Sequence, residues 1–161
     1  MNNQTIVINE YYLDLQSAIY DNIKDFEKIY NMIKGVFDIY IAPDYSAEGI
    51  NNFEEYIQPV NIAKRLSDKT TKLIIAWERN EPVGVIEIRG KSHISLFFVS
   101  QKYQKRGLGK LLFKEGFKNY TDSISVNSSP YAVTIYEKLG FKKVAGELIK
   151  NGITYIPMLK E

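Results

Sequence analysis

His93-Ile94-Ser95-Leu96-Phe97-Phe98-Val99, then Ser100-Gln101-Lys102-Tyr103, then Gln104-Lys105-Arg106-Gly107-Leu108-Gly109-Lys110-Leu111-Leu112-Phe113, reads as a strand running through a tight turn into a helix. Ile94, Leu96, Phe98 and Val99 form a near-continuous apolar run of β-formers, the pattern of a strand buried on both faces. The helix is expected over 107–120. Lys110, Lys114 and Lys118 fall every fourth residue as one wet stripe. Leu108, Leu111, Leu112, Phe113, Phe117 and Tyr120 cover most of the rest. Gly107 and Gly109 stand in the first turn, where each glycine costs about 1 kcal/mol relative to alanine. A phosphate gives both a purpose. The first N–H groups of a helix lack intrahelical partners, its dipole is positive at that end, and residues without Cβ let an anion come close. Gln104 to Gly109 is therefore built like a pyrophosphate cradle. It is neither a P-loop nor the dinucleotide G-x-G-x-x-G.

The pattern Gln104-x-x-Gly107-x-Gly109 after a buried strand resembles the acetyl-CoA signature of the GNAT superfamily of N-acetyltransferases. A second segment, Asn127 to Phe141 with Tyr136-Glu137-Lys138-Leu139-Gly140-Phe141 at its end, is similar to that family's second signature. The resemblance covers roughly residues 72–158, and more loosely the chain from about residue 12. It implies a single N-acetyltransferase domain over 1–161. The acetyl-CoA-binding core would span about 72–141 and the acceptor-side elements about 20–68.

The 161 residues suit one domain with a sizeable core, and 45% hydrophobic and 13% aromatic content excludes a disordered chain. A net charge of +2 is too small to argue for nucleic acid or a membrane surface. Lys102, Lys105, Arg106, Lys110 and Lys114 cluster at the cradle, where the phosphates of one small ligand account for them. With no cysteine, disulfides, thiol nucleophiles and Cys-ligated zinc are excluded, and a single histidine excludes a His-rich metal site. No metal is expected. No signal peptide and no membrane-spanning run is read, so a cytoplasmic location is the expectation.

Along the chain, residues 5–8 suggest a short strand and the alternation over 11–20 a first full one. Ile23, Phe26, Tyr30, Ile33 and Phe37 then step as an amphipathic helix, with Asp21 and Asp25 near its positive end. A loop over 38–49 precedes a helix with Ile50, Phe53 and Ile57 inward, which Pro59 stops or kinks. Strands at 72–78, 83–89 and 93–99 form a meander with Arg79-Asn80-Glu81-Pro82 as a turn. After the cradle helix comes a strand near 123–126, then a helix with Ser129 as N-cap, Pro130 in its first turn and Gly140 at its end. Ala132, Ile135, Tyr136 and Leu139 are expected as its inner stripe. Strands at 141–149 and 153–159 join at Asn151-Gly152. The fold class is α/β: a single-domain GNAT fold with a mixed, mostly antiparallel sheet of six to seven strands and about four helices.

The resemblance implies the chemistry: acetyl passes directly from acetyl-CoA, a co-substrate, to a primary amine, with no acyl-enzyme. Tyr136 takes the general-acid position. His93 falls where the histone-acetylating branch has its general base, and imidazole near pKa 6.5 suits that task. Glu87 on the neighbouring strand is another candidate base, and a water chain with no single base is the third alternative. The backbone groups of Phe97, Phe98 and Val99 would pair with the pantetheine arm. Gln104, Lys105, Arg106, Gly107, Leu108, Gly109 and Lys110 would hold the pyrophosphate, with Asn127 and Tyr131 ordering the arm. Tyr40, Asp44 and Tyr45 would line the acceptor site, with Glu48 beside Asp44 to hold a cationic amine. The acceptor is expected to be a small-molecule or protein amine, with no nucleic-acid or membrane partner. An exposed late strand leaves room for a homodimer. The rival reading is a non-catalytic acyl-CoA-binding domain, a sensor or scaffold.

Overall fold

In the computed structural model, residues 6–11 and 23–161 are described. Five α-helices occur among them: α1 Ile23–Tyr40, α2 Ala47–Tyr56, α3 Pro59–Leu66, α4 Leu108–Gly116 and α5 Val133–Lys138. The strands are β1 Val7–Tyr11, β2 Lys72–Glu78, β3 Glu81–Arg89, β4 His93–Val99, β5 Ile124–Ser128, β6 Lys142–Lys143, β7 Leu148–Lys150 and β8 Ile153–Lys160. They join in the order β1-β2-β3-β4-β5-β8-β6, with β7 on β8. Every pairing is antiparallel except β4 with β5.

The architecture is the α/β mixed sheet expected, with eight strands and five helices rather than six to seven and about four. Pro59 does not merely stop a helix; it sits in the first turn of α3, where its missing N–H costs nothing. The strand expected over 141–149 is cut by a bend into β6 and β7. The early strand lies at Val7–Tyr11, not 5–8. The strand expected over 11–20 lies, beyond Tyr11, outside the described residues, as does Asp21. The first turn of the meander is tighter than expected: Arg79 and Asn80 alone turn the chain, at φ 50° and 63°. Pro82 is in β3, tolerated beside a register shift at Ala76/Trp77.

The sheet buries both faces. Ile74, Ile86, Ile88 and Ile94 pack with Leu108 and Leu112 of α4 and Tyr136 of α5 on one face. Leu73, Ile75, Val85, Leu96 and Phe98 pack with Phe26, Ile29, Ile33 and Phe37 of α1 on the other. α4 lies close to β3 because a Cβ on Gly84 or Gly116 would come within 2.8 Å of the Leu112 or Ile88 side chain. The helix ends at Gly116, short of the expected 120, and Asn119 at φ 64° has already left helical geometry. Leu111 turns outward beside the lysine stripe.

The pairing of β4 with β3 has one irregularity. Glu87 pairs with Leu96 and Ile88 with Ile94, so Ser95 is an extra residue, a β-bulge. It exchanges the faces of β4: Ile94 joins the α4 side, whereas Leu96 and Phe98 join the α1 side. A bulge also bends its strand. β4 pairs with β5 only at His93↔Ser125 and Ile94↔Val126, and the pairing ends at the bulge.

Candidate functional site

Where β4 and β5 part, a cleft of about 480 Å³ opens. Phe97 and Val99 line it on the α4 side of β4, and Phe98 on the α1 side, so the cleft passes through the sheet. Gly107 and Gly109 edge it with Lys105 and Lys110; Val36 of α1 and Ile41, just past its end, bound it on the other side. Tyr131, Thr134, Ile135, Lys138 and Leu139 supply the α5 wall, a run at helical spacing.

The turn beside it is set by local geometry. Gly107 caps α4 at φ 84°, in the left-handed region, and Lys105 stands at φ 59°. A Cβ on Gly107 would meet nothing within 4 Å, so glycine is required there for conformation and its missing side chain leaves the approach open. Gln104 donates from Nε2 to the Val99 carbonyl at 3.0 Å, tying the turn to the end of β4. Tyr103 donates to the buried Glu78 carboxylate, and the Arg106 guanidinium lies 5.4 Å from the Tyr103 ring centre.

Tyr136 is 6% exposed and on the cleft. Its ring meets Phe141 edge-on at 5.4 Å and Phe97 at 6.0 Å. Burial pushes its phenol above the ordinary tyrosine range. The hydroxyl therefore stays protonated throughout the neutral range and stands as a donor.

Glu87 is elsewhere. It is fully buried on the α1 side of β3, off the cleft lining. Arg65 Nε donates to both its oxygens at 3.0 and 3.1 Å and Nη2 to Oε2 at 3.0 Å. Tyr56 Oη donates to Oε1 at 2.9 Å and the bulge residue Ser95 at 2.6 Å. Arg65 also donates to the Tyr56 carbonyl at 2.7 Å and stacks 3.7 Å from that ring's centre. Five hydrogen bonds hold this carboxylate. His93 is at the closed end of the β4–β5 pair, its Nδ1 2.9 Å from Ser125 Oγ. Four residues of strand, about 13 Å, separate it from Phe97. Burial, then Arg89, hold its imidazole below the usual value.

The cleft thus collects Phe97, Phe98, Val99, Gln104, Lys105, Gly107, Gly109, Lys110, Tyr131 and Tyr136. Leu108 is in the core, Arg106 is exposed on the turn, and Asn127 is exposed on β5 opposite Pro157. Tyr40 does not line the cleft but stacks on Tyr131, centroids 4.6 Å apart. Tyr45 packs edge-on to Phe37 at 5.5 Å. Asp44 is exposed, and its carbonyl accepts from Thr154 at 2.9 Å. The stretch expected as a loop over 38–49 is helical at both ends and clamped: Ser46 N–H donates to the Gly152 carbonyl at 3.3 Å and Asn52 to the Asn151 carbonyl at 2.9 Å. Val36, Ile41, Tyr103, Thr134, Ile135, Lys138 and Leu139 are cleft residues the sequence reading did not name for it. Ile135, expected in the core, is 44% exposed at the cleft. The 131-134-135-138-139 spacing was the available signal.

The profile described as acetyltransferase (GNAT) domain matches residues 41–161. Two Bacillus subtilis (strain 168) proteins, one with a provisional acetyltransferase name and the other YyaT, are each 26% identical over 99 residues, 55% of this chain. The match spans 65% and 64% of their lengths, under two thirds of each. A GCN5-related N-acetyltransferase structure from Rhodopseudomonas palustris superposes with TM-score 0.66 at 22% identity, covering 99% of this chain and 98% of that one. The PaiA N-acetyltransferase of Thermoplasma acidophilum, solved with coenzyme A, superposes with TM-score 0.71 at 17% identity, covering 96% and 99%.

Proposed function

Since the chain belongs to the GNAT acetyltransferase family, we propose that it moves acetyl from acetyl-CoA to a primary amine by direct attack, with Tyr136 as hydrogen-bond donor to the departing sulfur. One observation carries the reading. The cleft passes through the sheet where β4 leaves β5, with the glycine turn on one side and Tyr136 on its wall. A long thioester and an amine can then meet from opposite faces. The coenzyme A seen with the Thermoplasma relative supports the choice of co-substrate.

The residues fit that co-substrate. Lys105 and Lys110 stand beside Gly107 and Gly109 and offer cations to a pyrophosphate. Past Ile94, the β5-facing edge of β4 pairs with no strand among the described residues. Apart from the Val99 carbonyl, which Gln104 holds, the main-chain groups on that edge from Phe97 to Val99 are open to an extended pantetheine arm, as a sheet edge is to an added strand.

The amine nitrogen attacks the thioester carbonyl carbon, the C–S bond breaks, and the amide and a thiol leave. One proton must pass from nitrogen to sulfur. Tyr136 supplies the sulfur end by donating a hydrogen bond as the thiolate forms. A thiol such as that of cysteine, with a pKa of about 8.5, is a stronger acid than a buried phenol. The phenol thus steadies the developing charge, and solvent completes the transfer. The nitrogen end is assigned to water, because His93 is at the closed end of the strands and Glu87 is enclosed by Arg65, Tyr56 and Ser95. The amine must arrive neutral, and apolar surroundings favour that form.

The test is thermal unfolding with acetyl-CoA, with ATP and desulfo-CoA as controls, followed by thiol release with a panel of amines. Saturation at about 100 times the dissociation constant stabilises the folded state by roughly 2.7 kcal/mol. Stabilisation by acetyl-CoA above that by ATP, with amine-dependent thiol release, is expected. Stabilisation without release for any amine would favour a non-catalytic acyl-CoA-binding domain.

A further inference from the structure

We infer that the acceptor is a primary monoamine borne on an uncharged apolar body, alkyl or arylalkyl, rather than a polycation; this deepens the acetyl-transfer reading and rests on it. The two ends of the cleft differ in kind. The α4 end carries Lys105 and Lys110. The α1 end is walled by Val36, Ile41, Phe98 and Tyr131. Tyr40 backs Tyr131 ring on ring, with 22° between the planes, and makes that wall aromatic.

No carboxylate lines the cleft among the described residues. Among the described residues, the acids on neighbouring elements are committed or lie off the lining, and Glu78, behind Tyr103, accepts from its hydroxyl. Asp38 and Glu54 both hold Lys34, at 2.8 and 2.7 Å. Glu87 is taken by Arg65. Asp44 and Glu48 are exposed on the segment clamped to the β7–β8 hairpin and do not line the cleft. An acceptor with a second ammonium would strip that charge of water against Val36, Ile41 and Phe98 with no counter-charge to meet it. The reacting amine escapes this cost by entering neutral, and an apolar body gains from the same walls.

The probe is a matched pair: hexylamine, and the six-carbon chain with an amine at each end. Phenethylamine serves as the arylalkyl member. Turnover with acetyl-CoA is measured at equal concentrations of neutral amine. Binding of the same amines to the CoA-loaded protein is titrated beside it, so preference is read even without turnover. At least ten-fold higher kcat/KM, or tighter binding, is expected for hexylamine and phenethylamine over the diamine. Tyr131, 39% exposed, accepts a charge without burying it. Tyr131→Glu should shrink the hexylamine preference at least five-fold, and Tyr131→Gln, equal in size but uncharged, should shrink it less. A diamine used or bound as well as hexylamine, or binding of none of the three amines, overturns the inference and leaves acetyl-CoA stabilisation standing. Absence of that stabilisation overturns the underlying reading instead.

Discussion

Glu87 and Tyr136 are both polar tips in nearly dry surroundings, on opposite faces of one sheet, and the fold treats them in opposite ways. Glu87 is given a guanidinium, a phenol and a hydroxyl. Tyr136 is packed between Phe97 and Phe141, and no described side chain bonds to its hydroxyl; it fronts a cleft. A buried charge with every lone pair engaged locks α3 and the end of α2 to the bulged strand. A buried phenol left facing a cleft is available to something that enters. Buriedness alone does not mark a reactive group; the count of internal partners separates the two.

The sharpest way to break this contrast is to remove a partner from the first centre. Arg65→Ala leaves the Glu87 carboxylate buried without its cation and is expected to cost about 3–5 kcal/mol of stability. Chemical denaturation measures it, and a loss under about 1 kcal/mol would show that Glu87 is not a locked anchor. Next is the glycine turn on the side of Tyr136. Gly107→Glu forces a side chain into φ 84° and sets a carboxylate beside the proposed phosphate site. Acetyl-CoA affinity should fall about 100-fold, near 2.7 kcal/mol, by calorimetry, while the left-handed backbone costs about 1–2 kcal/mol of stability although a Cβ there meets no atom. Unchanged affinity would move the pyrophosphate elsewhere. The smallest effect concerns His93. Its imidazole is held below the 6.5 of an unfolded chain, so below that pH the unfolded state binds more protons and stability drops as pH falls. His93→Gln should flatten the fall in melting temperature between neutral pH and pH about 5. It should also leave the acidic limb of the pH–rate profile in place. Loss of that limb would restore His93 as the base.

What the sequence disclosed is what is local. The strand-turn-helix at 93–113, the Asn151-Gly152 hairpin and the Ser129 cap each rest on neighbours a few residues apart. Ser129 Oγ does accept from Ala132 N–H, at 3.3 Å. What it withheld depends on register and on distant partners. Nothing in the apolar run of β4 announces that Ser95 is a bulge, since the bulge exists only against β3. The partners of Glu87 stand 8, 22 and 31 residues away in the chain. The segment around Asp44 is fixed by Thr154, 110 residues on. Ile135 was misread for a simpler reason: an apolar stripe on a helix looks the same whether it faces a core or a cleft.

The most direct test is the steady-state rate of Tyr136→Phe beside its acetyl-CoA affinity and its stability. Removing a hydroxyl that no described side chain uses should leave stability within about 0.5 kcal/mol. Loss of the donor should lower kcat at least ten-fold, with the acetyl-CoA dissociation constant unchanged. Full kcat in Tyr136→Phe would contradict the account, because the group that the cleft leaves without a partner would then have no part in the reaction.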